Sequence, residues 1–248
     1  MEELLGIARA SPLTDLIERY LPRAGRVLEA GCGLGQYVLL LRERGRAAAG
    51  VDWSLEAVRA GARAGAPVAV MDLRALAVAT GCIAAYLSLG VVEHDPAGPD
   101  AILEEAARVV PPGGTLLLSV PYWNGVRRLA APLLRRQARM TREAGGQFYQ
   151  YAFTRRELGG VLAAHGFAVQ RFHPYDPARV LRKALGRLRR PATAAGDPAA
   201  PKAPAAPPTP PRPAREGPAL RRAVRGLLYS EPALRLLGHM LLAVAVRR

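Results

Sequence analysis

From Arg26 to Val120, short apolar runs of strand length alternate with longer segments whose apolar residues recur at helical spacing. That alternation predicts a parallel sheet with helices on both faces. Strands are expected at Val27–Ala30, Ala47–Val51, Val68–Met71, Ile83–Ser88 and Thr115–Val120, and helices near Gly35–Arg44, Leu55–Ala64 and Asp100–Val110. Pro111, Pro112, Gly113 and Gly114 close the last of these helices. A leading helix near Leu13–Leu21, opened by Ser11 and Pro12, is expected to lie over the sheet.

Beyond Val120 the pattern loosens. An arginine-rich, helix-compatible stretch leads into Gly145–Phe153, an aromatic cluster in a chain that is only 6% aromatic. Thr154 with Glu157 forms a capping-box pattern for a helix running to His165 and Gly166, and a strand follows at Phe167–Phe172. Residues 191–218 are mostly Ala and Pro with almost no large apolar side chain, so a disordered insertion is expected there. Leu220–Leu237 is apolar and basic at helix-like spacing, and Met240–Val246 is one continuous apolar run. That run reads either as part of an amphipathic membrane-surface tail or as the last strand of the same sheet. The strand is the stronger reading, because the run has no polar face and a long surface excursion adds little loop entropy. The expected organisation is therefore N-terminal lid helices at 1–25, a core at 26–190, the insertion at 191–218, and a basic helix with the terminal strand at 219–248.

Charge adds one asymmetry. Of the formal net charge of +15, residues 1–178 supply 20 basic against 17 acidic side chains, while residues 179–248 supply 15 against 3. A basic tail can be a solvated surface, can meet an anionic partner such as nucleic acid, or can touch a membrane surface. The N-terminus lacks a basic leader and no apolar stretch approaches the length of a membrane span, so a cytoplasmic location is expected. Cys32 and Cys82 fit neither a disulfide framework nor a zinc pattern, and no metal is expected.

The densest chemistry lies in Arg26–Gln36, where an apolar strand ends on Glu29 and is followed by Gly31, Gly33 and Gly35. Alternate glycines permit positive φ and let a nucleotide-like cofactor approach the backbone, while the following helix offers free N–H groups. Three features narrow the cofactor. Gln36 stands where the dinucleotide fingerprint wants Gly or Ala. Asp52 ends the second strand, where both its oxygens can accept from a ribose, and Trp53 beside it offers a face for a base. Asp72, after the third strand, can accept from an exocyclic amine, and Leu73 supplies a backbone N–H and an apolar wall.

The segments EAGCGLGQY, GVDWS at 50–54, MDL at 71–73, SLGVVEH at 88–94 and PPGGTLLLSVP at 111–121 stand in one order. Together they resemble the motifs of class I S-adenosylmethionine-dependent methyltransferases of the type 11 group, over about residues 26–121. The resemblance implies an α/β, Rossmann-like, seven-stranded, mostly parallel sheet with helices on both faces and an antiparallel terminal strand, for which Met240–Val246 is the candidate. It implies S-adenosyl-L-methionine as cofactor, with Glu29, Gly31, Gly33 and Gly35 at the methionine portion, Asp52 at the ribose, and Asp72 with Leu73 at the adenine. Ser88 would line the methionine end. One departure is Ala84, where the family often carries Asp.

Methyl transfer from a sulfonium is an in-line displacement that asks the protein chiefly for alignment and dryness. A base is needed when the acceptor holds its proton. His94, after Glu93 at the mouth of the fourth strand, is the candidate base, and a turn-shaping role is its alternative. Tyr122, Trp123, Asn124, Tyr149 and Tyr151 are candidates for an acceptor wall or for packing, and Arg127, Arg128, Arg135 and Arg136 for an acidic acceptor group or a solvated face. The expected function is methylation of a small molecule, at oxygen before nitrogen or carbon. An RNA- or ribosome-directed methyltransferase using the basic tail, and a catalytically silent cofactor-binding module, are the alternatives. Nothing in the pattern points to an oligomeric state.

Overall fold

The computed structural model describes residues 1–132, 151–177 and 226–248. The chain opens with α1 (Glu2–Arg9) and α2 (Pro12–Tyr20), then β1 (Arg26–Ala30), α3 (Gln36–Glu43), β2 (Ala47–Asp52), α4 (Leu55–Arg63) and β3 (Val68–Val70). It continues with β4 (Ala85–Leu89), a 3₁₀ turn at Val92–His94, α5 (Asp100–Val109), β5 (Thr115–Pro121) and α6 (Gly125–Leu129). The remaining described elements are α7 (Arg155–Ala164), β6 (Phe167–Tyr175), α8 (Glu231–Leu237) and β7 (Met240–Arg247).

The strands form one seven-stranded sheet in the order β3-β2-β1-β4-β5-β7-β6. β1 to β5 pair in parallel, whereas β7 inserts between β5 and β6 and runs antiparallel to both. The apolar run Met240–Val246 is thus the returned strand of the sheet. Its pairing with β5 extends from Thr115 opposite Val246 to Pro121 opposite Met240. Burial on both sides explains why the run is continuously apolar.

Side chains alternate between the two faces, as a two-residue period requires. On one face Leu28, Tyr86, Leu116, Leu118 and Leu241 pack with Ile102 and Leu103 of α5 and with Leu158 and Leu162 of α7. On the other, Val27, Leu87, Leu117 and Leu242 pack with Leu13 and Ile17 of α2 and with Val38 and Leu41 of α3. Helix α2 therefore belongs to the core of the sheet. Outside it, Leu5 and Ala8 of α1 cover Leu40 of α3.

Local chemistry sets the element ends. Ser11 Oγ accepts from Leu13 N at 3.2 Å with Pro12 at the first turn of α2, and Ser54 Oγ accepts from Ala57 N at 3.2 Å for α4. At α7 the capping box is complete, since Thr154 Oγ1 accepts from Glu157 N at 3.1 Å and Glu157 Oε2 accepts from Thr154 N at 2.8 Å. Two boundaries differ from the sequence reading. β6 runs on to Tyr175 through Pro174 and a bulge between Val169 and Arg171, which an edge strand tolerates because its outer N–H groups are unpaired. Within the Leu220–Leu237 pattern residues 226–228 are helical, the chain turns at Tyr229 and Ser230, and α8 starts afresh at Glu231 with Pro232 in its first turn, while residues 219–225 lie outside the described residues, as does the 191–218 insertion.

Candidate cofactor and acceptor site

The carboxyl ends of β1, β2, β3 and β4 converge on the glycine turn. Gly31 N and Cys32 N both donate to Val51 O, at 2.8 and 3.0 Å, which ties the turn to β2. Gly31, Gly33 and Gly35 all have positive φ, but they differ in surroundings. A Cβ on Gly31 would collide with Val91 at 2.4 Å, and one on Gly35 would press on Ala66 and Val68 at 3.0 Å. Gly33 alone of the three faces open space, and it is the place where a ligand can reach the backbone.

Asp52 buttresses that turn. Its Oδ2 accepts from Gly33 N at 2.7 Å and its Oδ1 from Ser54 N at 2.9 Å. Each oxygen keeps a lone pair for a ribose hydroxyl, so the carboxylate can hold turn and ligand together. Glu29, one strand inward, is buried, and Val38 N–H at the start of α3 is the hydrogen-bond donor to its carboxyl. Its Oε2 has no partner. Burial, and secondarily the charge of Asp52, push the Glu29 carboxyl up to about 8, against which the Val38 N–H acts.

Next to the turn lies a cleft of about 560 Å³ lined by Trp53, Asp72, Leu73, Val91, His94 and Ile102, among others. Trp53 is 82% exposed, so its indole face is available to a planar group. Asp72 is held by Arg74, whose Nε and Nη2 donate at 3.0 and 2.7 Å. These bonds hold the Asp72 carboxyl well below the usual range, at about 2, so it is an anion throughout ordinary conditions.

The structure therefore brings Glu29, Gly31, Gly33, Gly35, Asp52, Trp53, Asp72 and Leu73 around one turn and cleft. Ser88 stands near the end of β4, fully buried with Oγ unpartnered. His94 is on the rim, its side chain 46% exposed, and lines the same cleft as Trp53 and Asp72. That is the base side of the site.

Of the acceptor-wall candidates, Tyr122 is buried against the core, where Tyr122 N donates to His239 O at 2.9 Å. Trp123 is half-buried and its N–H donates to Phe153 O at 2.8 Å. Asn124 is a pin between segments: Nδ2 donates to Gly238 O at 2.7 Å and Oδ1 accepts from Arg127 N at 2.8 Å. Tyr151 is exposed and its hydroxyl donates to Pro96 O at 3.0 Å. Tyr149, Arg135 and Arg136 lie outside the described residues.

Four residues escaped the sequence reading. Glu93 is the buried member of the Glu93-His94 pair, with its side chain only 2% exposed and Oε2 without a partner. Burial pushes its carboxyl up to about 7, partly offset by hydrogen bonding within its own turn and by His94. Tyr175, at the end of β6, shares a 2.5 Å hydrogen bond with Ser119 of β5, and Tyr37 of α3 is half-buried, with burial raising its hydroxyl above the usual value. The hint for Glu93 was an acid inside an otherwise apolar run after a strand. Ser119 and Tyr175 carried no local signal.

A family model described as a methyltransferase domain matches residues 6–171. The chain belongs to the methyltransferase domain family. The ordered motifs from Glu29 to Pro121 and the family match thus agree on a class I, Rossmann-like methyltransferase. No curated relative matches the sequence. Among solved structures, an S-adenosylmethionine-dependent methyltransferase from Methanosarcina mazei is 23% identical, with a TM-score of 0.56 over 64% of this chain and 86% of that one. The geranyl diphosphate C-methyltransferase of Streptomyces coelicolor A3(2), solved with Mg²⁺, geranyl diphosphate and S-adenosyl-L-homocysteine, is 15% identical with a TM-score of 0.58, over 95% of this chain and 80% of that one. The [4+2]-cyclase SpnF is 18% identical with a TM-score of 0.56 over 95% of this chain and 80% of that one. These likenesses fix the fold as that of the methyltransferases. Among the described residues no cluster of His, Cys, Asp and Glu could hold a metal ion, and no helix is long and apolar enough to cross a membrane.

Proposed function

We propose that this protein transfers a methyl group from S-adenosylmethionine to a small-molecule acceptor, with oxygen as the favoured atom, in the cytoplasm. The observation that carries the reading is the unpartnered, buried Glu29 Oε2 beside the one glycine of the turn that opens on space. A buried carboxyl left without a donor is costly unless a ligand supplies one. S-adenosylmethionine fits, because it brings an ammonium and a sulfonium to a turn that Glu29 and Asp52 flank.

When bound, this cofactor supplies a methyl group activated by its positive sulfur. Glu29 and the backbone at Gly33 hold the methionine portion, and Ser88 lines that end. The free lone pairs of Asp52 take the ribose hydroxyls. Trp53, Leu73 and Asp72 form the base pocket, in which the Asp72–Arg74 pair keeps an acceptor oxygen charged and in place. Tyr122, Trp123 and Tyr151, which follow β5 and precede α7, border the acceptor side.

Isothermal titration of the purified protein with S-adenosylmethionine tests the cofactor, and absence of binding at millimolar ligand would overturn it. Incubation with methyl-labelled cofactor and fractionated extract tests the acceptor. Label in small molecules supports the reading; label in RNA selects the alternative in which the basic residues of 179–248 clamp a nucleic acid. Binding with no labelled product from any fraction selects a silent or differently employed site, a use of the fold to which the cyclase SpnF is pertinent.

A further inference from the structure

SLGVVEH places a second ionisable group, Glu93, directly beside His94. Glu93 and His94 leave the 3₁₀ turn with their ends 4.0 Å apart but differ in exposure, 2% against 46%. His94 turns to the cleft with Trp53 and Asp72. The Glu93 carboxyl turns inward over the ends of β4, β5 and β7, where its Oε1 lies 3.6 Å from the place of a Cβ on Gly90, a position also 3.8 Å from Met240 Cε. Gly90 itself is bonded to β5 through Gly90 N and Ser119 O at 2.9 Å. The titratable groups facing Glu93 are His94, with Nε2 at 4.0 Å, and Tyr175 of β6, whose hydroxyl is tied to Ser119 and behind which stands Tyr37 of α3. Among the described residues no Lys or Arg pairs with the carboxyl, and its Oε2 is buried without a hydrogen-bond donor. The methionine end of the cofactor, on the reading above, lies between β1 and β4, so Glu93 is on its far side.

Resting on that reading, we propose that Glu93 is the catalytic base for a hydroxyl-bearing acceptor. The acceptor O–H donates to Glu93 Oε2. As an oxygen lone pair forms the new O–C bond, the O–H proton passes to the carboxylate and the C–S bonding pair stays on sulfur. The products are a methyl ether, a neutral thioether and a neutral carboxylic acid at Glu93.

The test needs no acceptor. Sinefungin carries an amine-bearing carbon where S-adenosylmethionine carries its methylated sulfur, so its ammonium stands in for a proton donor at the transfer point; S-adenosylhomocysteine has no such group. Titration calorimetry with both ligands from pH 6 to pH 8 should show the preference for sinefungin growing as Glu93 ionises, by roughly tenfold or more across the range. The Glu93→Gln variant should lose that preference while its affinity for S-adenosylhomocysteine, which reports an intact fold, changes little. A preference that is flat with pH in the natural protein, or equal losses for both ligands in the variant, overturns the proposal. Failure of the natural protein to bind either ligand overturns the cofactor reading instead.

Discussion

Replacing Glu29 by Gln should make the free protein more stable in mild base while removing most of its cofactor affinity. In the folded protein burial lifts this carboxyl from 4.5 to about 8. The folded state therefore holds a proton that the unfolded chain has released, and stability falls as pH rises from about 4.5 towards 8. Integrated over that interval, ionising Glu29 costs on the order of 4 to 5 kcal/mol, at about 1.4 kcal/mol for each tenfold step. Glu93 acts with the same sign, but its carboxyl rises only to about 7. His173, lowered chiefly by burial, acts with the opposite sign and only below its ordinary value of 6.5. Between pH 7 and pH 8 the larger share of the slope is thus that of Glu29, with a smaller remainder from Glu93.

Urea unfolding at half-unit steps from pH 5 to pH 9 reads the effect. The natural protein should lose about 1 kcal/mol between pH 7 and pH 8, and Glu29→Gln should be much flatter there while keeping the slope below pH 7. Gln can still accept from Val38 N–H, so the variant should match the natural protein near pH 5. Saturating S-adenosylmethionine should shrink the natural protein's slope, because its cation favours the ionised carboxylate. Identical slopes for both proteins between pH 7 and pH 8 would refute the reasoning, since the two differ only in the group at position 29.

Asp52→Ala removes the acceptor for both Gly33 N and Ser54 N, and calorimetry should show cofactor affinity down by more than about tenfold with a stability loss of about 1–3 kcal/mol. Gly33→Ala and Gly31→Ala both place a side chain at positive φ and should both lower Tm, but the second also collides with Val91 and should lower it more, whereas the first adds its methyl to open space and should weaken binding out of proportion to its stability loss. Trp53→Ala should leave Tm within about a degree, as the side chain is 82% exposed, yet weaken S-adenosylmethionine binding roughly three- to tenfold through loss of the stacking face. Thr154→Ala should cost about 1 kcal/mol in urea unfolding by opening the capping box of α7.

The parts of the site written in the chain are those whose causes are local. Positive φ at Gly31, Gly33 and Gly35, a strand ending at Asp52, and the cap at Thr154 are each dictated within a few residues, and the sequence pattern marks them. β7 was legible for a related reason, because burial on both faces leaves a run of apolar residues with no alternation. The Ser119–Tyr175 bond joins positions 56 residues apart and exists only because β7 passes between β5 and β6. Glu93 and His94 show a different limit. Three residues of 3₁₀ turn hold no periodicity, so adjacency gave no sign that the Glu93 side chain would be buried and that of His94 left at the rim.

On the proposed reading, that division between rim and interior has a chemical consequence. On the base side, Trp53 and the Asp72–Arg74 pair sit near water, where binding is screened and adaptable. On the transfer side, Glu29, Ser88 and Glu93 are buried with unpartnered oxygens, and the surrounding side chains of Tyr175 and Ser119 are already bonded to each other. Methyl transfer from a sulfonium to an oxygen that is losing its proton destroys charge, and a reaction that destroys charge gains from a medium that solvates charge poorly. The same burial that makes Glu29 and Glu93 costly in the free protein therefore favours the transfer once both are engaged. Substitutions at Trp53 or Asp72 should accordingly change how tightly the cofactor is held, whereas those at Glu29 or Glu93 should change how the site responds to pH.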